Sequence, residues 1–85
     1  MTFSLLARCP ETGMFGMVIS SSSPAVAARC AHAQAGVGVA ASQNITDPAL
    51  GPALLDAMSR GQDAVQAVAA VAAKAPFAEY RQLMA

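Results

Sequence analysis

Thr2-Phe3-Ser4-Leu5-Leu6-Ala7-Arg8, Cys9-Pro10-Glu11-Thr12-Gly13 and Met14-Phe15-Gly16-Met17-Val18-Ile19-Ser20 follow one another at the start of the chain. Two apolar runs of strand length flank a segment rich in turn formers, so the stretch predicts a β-hairpin. Phe3, Leu5 and Ala7 share one face of the first strand, and Leu6 shares the other with Ser4 and Arg8. In the second strand Phe15, Met17 and Ile19 oppose Met14 and Val18. With apolar side chains on both faces, the hairpin is expected to be covered on both, as in a layered α/β or α+β domain.

Working outward, Ser20–Ser23 leave the second strand and meet Pro24, which disfavours helix at Ser23 and marks a bend. Four hydroxyls there read either as a polar loop bonding its own backbone or as the wall of a hydroxyl-lined pocket. The small residues of Val26–Ala33 fit a strand or a short helix, and strand is the reading adopted. Gly36–Asn44 alternates Val37, Val39 and Ala41 against Gly38, Ala40 and Ser42, a strand with one face nearly bare, open to close approach by a packed layer. Asp47-Pro48 reads as a helix start, but Pro52 follows too soon for an unbroken helix. One loose turn is therefore expected before a regular helix over 52–59, with Leu54, Leu55 and Met58 inward and Gly61 as its C-terminal cap. Asp63–Lys74 predicts a second helix whose buried stripe is Val65, Val68, Ala69 and Ala72. Ala75-Pro76 ends it, and Glu79–Ala85 reads as a strand that stops at the last residue.

The 85 residues allow one small domain, yet 55% are apolar and only 12% charged, where about a quarter charged is usual for a soluble domain. That is the composition of a larger protein's interior, and it predicts a homo-oligomer or the N-terminal piece of a longer chain. Five basic and five acidic residues cancel and are scattered singly, which argues against nucleic acid as a partner. No apolar run is long enough for a membrane span and no secretory leader pattern opens the chain, so the expectation is no membrane association and a cytoplasmic location. Cys9 and Cys30 are then reduced thiols with no metal-ligand spacing. Neither a metal nor a cofactor is expected, since zinc, P-loop and dinucleotide patterns are all missing; Gly36-x-Gly38 is a strand feature.

His32, among alanines with no nearby aspartate, reads as a structural histidine. Thr2 is different. Removal of an initiator methionine before a small residue leaves Thr2 with a free α-amine beside its own hydroxyl. An α-amine titrates near pH 7.7–8.0, so it can take the hydroxyl proton at working pH and make Thr2 a nucleophile. With Met1 attached, that nitrogen is an amide and cannot act as a base.

A hairpin opened by Thr2, a small polar segment, a glycine-rich strand, a helix pair and another strand resemble the first half of the Ntn-hydrolase fold, the four-layer αββα sandwich of proteasome β-subunits. More closely, Thr2–Gly13, Gly36–Gln43 and Asp47–Pro52 resemble an uncharacterised bacterial family of Ntn-hydrolase type, domain of unknown function 1028, over nearly the whole chain. The resemblance implies an α+β fold seen as its N-terminal portion, because a whole family domain is more than twice this long. It implies Thr2 as nucleophile, Arg29 at the position of the proteasomal lysine, Ser21 and Ser22 near the acidic position, and a backbone N–H near Gln43 as oxyanion donor. Arg29 cannot give up a proton and a serine stands where an acid is usual, both departures from a protease. The implied activity is hydrolysis of a small or non-peptide amide; the alternative is a catalytically silent member of the fold used for ligand binding or assembly. Either requires Thr2, Ser20–Ser23, Arg29 and Gln43 to converge, with Arg29 bonded to Thr2 directly or through water.

Overall fold

The computed structural model describes residues 1–85. Strand β1 (Thr2–Arg8) and strand β2 (Phe15–Ser21) form the antiparallel hairpin, with Leu5 opposite Val18 and Thr2 opposite Ser21. Its turn closes through Gly13 N to Cys9 O (2.9 Å) and Cys9 N to Met14 O (2.8 Å). Gly13 sits at φ 75°, where a side chain would be strained.

Strand pairing leaves one hairpin face half-buried, carrying Thr2, Ser4, Leu6, Phe15, Met17, Ile19 and Ser21. The other stays open, with Phe3 66%, Leu5 56% and Val18 61% exposed. The expected cover on both sides is therefore only half present. The helical hairpin of residues 50–74 lies beyond the second sheet, and nothing in the chain crosses to the hairpin's outer face.

Between Val26 and Gln34 the structure replaces the expected single strand with a short helix, α1 (Val26–Cys30), followed by strand β3 (Ala31–Gln34). Ala27, Ala28 and Arg29 are good helix formers, and Ala25 at φ 51° turns the chain into them after Pro24. Cys30 is buried at the end of that turn.

Strand β4 (Gly38–Gln43) is the centre of a three-stranded antiparallel sheet, between β3 and strand β5 (Gln82–Met84), and all six of its residues are buried. Its bare face receives helix α2 (Leu50–Ser59), as the glycine and alanine pattern requires: a Cβ on Gly38 would meet Met58 Cε at 2.9 Å. Ala40 packs on Leu54, Leu55 and, from helix α3 (Ala64–Lys74), Ala67; these four form the central cluster of the core, with Met58, Val68, Val71 and Leu83 against it.

Helix α2 begins at Leu50, ahead of the expected start. Pro52 is its third residue, where the missing N–H would have had no intrahelical partner, so Gly51-Pro52 does not break it. Asp47 is not the N-cap; it forms a turn just before the helix, accepting from Ala49 N at Oδ1 (3.0 Å) and from Leu50 N at its carbonyl (3.1 Å). Gly61, at φ 100°, closes the C-terminus as expected, its N–H reaching Met58 O at 3.1 Å. Asp63 caps α3 in a reciprocal box with Gln66.

The inward stripe of α3 is rotated from the expected one. Val65 is 80% exposed and Ala69 is exposed, while Ala67 is buried with Val68 and Val71 beside it. Alanine is too abundant here for apolar spacing to single out one face, and the face with the smallest residue at its centre packs closest. The expected final strand is also shorter: Ala78–Tyr80 is a 3-10 turn, entered through Phe77 at φ 57°, and only Gln82–Met84 pairs with β4.

Candidate active site at the start of the first strand

Thr2 opens β1 directly opposite the last residue of β2, so hairpin register alone brings two hydroxyls together. Thr2 Oγ1 donates to Ser21 Oγ at 3.0 Å, and Ser21 Oγ also accepts from Ser23 N at 3.2 Å. Ser21 thus holds the Thr2 oxygen in place while its own side chain is pinned by the backbone of the following loop. Ser20, Ser22 and Ser23 are exposed, and the hydroxyl of Ser22 makes no hydrogen bond. Of the serine run, one member joins Thr2; the others behave as a polar loop.

Arg29 does not bond directly to Thr2. It is exposed, and its Nη2 donates to the Pro24 carbonyl at 3.1 Å, because a helical turn at 26–30 points it back along the preceding loop. Nor does it pair with Asp47, whose cationic neighbour is Arg81: Nη1 lies 3.6 Å from Asp47 Oδ2, with the Arg81 side chain only 11% exposed. No carboxylate or cation hydrogen-bonds to Thr2. The side chain of Thr2 has an orienting partner and no separate base.

Gln43 ends β4 on the hairpin side. Gly38, Ala40 and Ser42 face the helices, so by strand alternation Val39, Ala41 and Gln43 face β1 and β2. At the far end of this layer a cleft of about 540 Å³ is lined by Leu6, Arg8 and Phe15 together with Val37, Gly38 and Val39. The end of β1 therefore lies over the start of β4, which sets Thr2 and Ser21 at the Gln43 end. Thr2 lines neither this cleft nor a second of about 420 Å³ beside Thr12–Phe15 and Ala33–Gly36.

Beyond Gln43 the backbone takes two consecutive left-handed residues, Asn44 (φ 64°) and Ile45 (φ 54°), and Asn44 Nδ2 donates to Tyr80 O. Left-handed conformation in a β-branched residue is rare and concentrates where the surroundings impose it. The N–H groups of Ile45 and Thr46 make no hydrogen bond within the chain. Sequence reasoning named Gln43 in this region but missed Gln82, its cross-strand partner, whose Oε1 accepts from Gln43 Nε2 at 3.0 Å. The signal was available only through the register of β5, which apolar spacing did not define. His32 packs against Gly51 with its Nε2 buried and unpartnered, consistent with a packing role.

Two antiparallel sheets, the outer hairpin and the inner sheet backed by a helical hairpin, make this a mixed α+β domain. The chain belongs to the family of unknown function DUF1028, which matches residues 2–85. It is similar to the crystal structure of protein SPO2555 from Silicibacter pomeroyi, itself described by the same family, at 31% identity and a TM-score of 0.91. The match covers 96% of this chain and 38% of that one, so the chain spans well under half the length of that relative. No curated protein matches it.

Proposed function

We propose that this chain is the N-terminal part of an Ntn-hydrolase-like αββα sandwich and that Thr2 is the nucleophile of an amidohydrolase acting on a small or non-peptide amide. The observation carrying the proposal is the Thr2–Ser21 hydroxyl pair at the first rung of the hairpin. Met1 is fully exposed immediately before it, so the bond to be cleaved is accessible from solvent. Once Met1 is removed, the Thr2 α-amine takes the hydroxyl proton, directly or through a water, as Oγ1 bonds to the amide carbon. The resulting oxyanion is met by a backbone N–H near Gln43. The α-ammonium then returns the proton to the departing amine, and water hydrolyses the Thr2 ester by the same route, regenerating the hydroxyl. Ser21 orients the nucleophile. Arg29, bonded to Pro24, is left outside the proton path, and Ser22 has no part in it.

A second reading, a silent fold used for ligand binding or assembly, is favoured by one observation: no charged group reaches Thr2, so with Met1 attached the site has no base. Assay of the Met1-free protein against a panel of small amides and lactams separates the two. Hydrolysis that Thr2→Ala abolishes and Ser21→Ala lowers by about tenfold, the worth of one hydrogen bond, supports the enzyme. Turnover unchanged in Thr2→Ala would overturn it.

A further inference from the structure

Gln43 is 7% exposed, and its carboxamide is only half satisfied: Nε2 donates to Gln82 Oε1, while Oε1 is sealed from solvent with no partner. Gln82 is exposed, and its Nε2 makes no hydrogen bond. Two facing carboxamides can close two N–H···O bonds; here one is made and the other is open. A buried amide oxygen left unpaired is costly and uncommon, and calls for a partner.

We propose that Gln43 and Gln82 form the recognition edge for a carboxamide that presents its C=O and N–H on the same side, a primary amide or a lactam. The proposal deepens the amidohydrolase reading and rests on it for the reaction, naming the substrate class admitted at the Thr2 end of the layer between the sheets. The ligand's N–H donates to Gln43 Oε1 and its carbonyl accepts from Gln82 Nε2, closing the open side. Exchanging O and N in both side chains still leaves one acceptor and one donor free, so the complementarity survives either assignment. A carboxylate brings only acceptors and an ammonium only donors; a trans peptide bond points its N–H and C=O in opposite directions. Each of these fits half the edge. Because Gln43 Oε1 is sealed from solvent, admission of the ligand requires the exposed Gln82 side chain to turn aside while Gln43 stays fixed in the sheet.

The test is NMR titration of the ¹⁵N-labelled full chain, following the side-chain NH₂ signals of Gln43 and Gln82, with acetamide, 2-pyrrolidinone, N-methylacetamide and acetate as probes. Acetamide and 2-pyrrolidinone are expected to shift both signals saturably and to bind several-fold more tightly than the trans amide or the acid. Gln82→Met, with the fold checked by its backbone amide spectrum because Gln43 Nε2 loses its acceptor, should remove that preference, a loss of about tenfold for the bond to the ligand carbonyl. Equal response to all four probes, no response to any, or a preference unchanged in Gln82→Met would overturn the proposal. Repeating the titration with Thr2→Ala separates it from the enzymatic reading. Amide binding kept there, with no hydrolysis by the Met1-free protein, sinks the enzyme and leaves the edge; hydrolysis without the preference sinks only the edge.

Discussion

The imidazole of His32 lies directly over the α-carbon of Gly51, so that a Cβ there would overlap ring atoms Cδ2, Cγ and Nε2. In an ordinary helix, glycine to alanine stabilises by about 1 kcal/mol, but forcing atoms into a packed contact costs about 1–3 kcal/mol. The second effect is expected to win. Gly51→Ala should lower stability by up to about 2 kcal/mol in urea unfolding, and His32→Ala in the same chain should recover most of it, since the two changes share one contact. Gly16→Ala, where a Cβ meets nothing within 4 Å, is the control and should change little.

The rotated stripe of α3 gives a second prediction, in which the sequence pattern and the packing disagree. Leu54 is fully buried, and Leu54→Ala should cost about 2–5 kcal/mol, much of the stability of a domain this small. Val65, one of the residues that apolar spacing marked for the core, is 80% exposed. Val65→Ala should be within about 0.5 kcal/mol of neutral by the same measurement.

Ile45 stands at φ 54° with 66% of its surface exposed, so it combines left-handed backbone with little burial to compensate. Relief of that conformation is worth about 1–2 kcal/mol, against about 0.5–1 kcal/mol for the extra freedom of glycine in the unfolded chain. Ile45→Gly should therefore raise the urea midpoint, by a net of about 0.5–1 kcal/mol. A fall would mean that the Ile45 side chain contributes more than its exposure implies.

Hydrogen bonding to the Cys9 thiolate, first from the Thr12 side chain and then from the backbone of Thr12 and Glu11, holds this thiol below its ordinary range, with Arg8 adding to the effect. Lowering favours the charged form, so the thiolate fraction at mildly alkaline pH should exceed that of a free cysteine. The linked stabilisation is present above the unfolded thiol's pKa and fades as pH falls through the lowered value. Iodoacetamide should label Cys9 well before buried Cys30, and Thr12→Val should move the Cys9 pH-rate profile upward.

The hairpin, the bare face of β4 and the helix pair were legible because each rests on local chemistry: alternation around a Gly13 turn, Gly38 and Ala40 beside an apolar helix, Gly61 between two apolar helical runs. The errors lie where alanine dominates and apolar spacing has no contrast, at Val26–Ala33 and along α3. The Thr2–Ser21 pair was within reach, since a hairpin with a turn at Cys9–Gly13 nearly fixes its first rung. Arg29 was not, because its direction depends on whether the preceding residues form a helical turn or a strand, and Gln82 needed the pairing of a three-residue strand.

The nucleophile reading stands on the α-amine of Thr2, which exists only if the initiator is gone. Mass spectrometry of the N-terminal peptide, from the protein isolated from the cells that naturally make it, reads this directly. The account predicts a peptide beginning at Thr2 with a free amine. A peptide that still begins at Met1 would leave Thr2 without a base and contradict it.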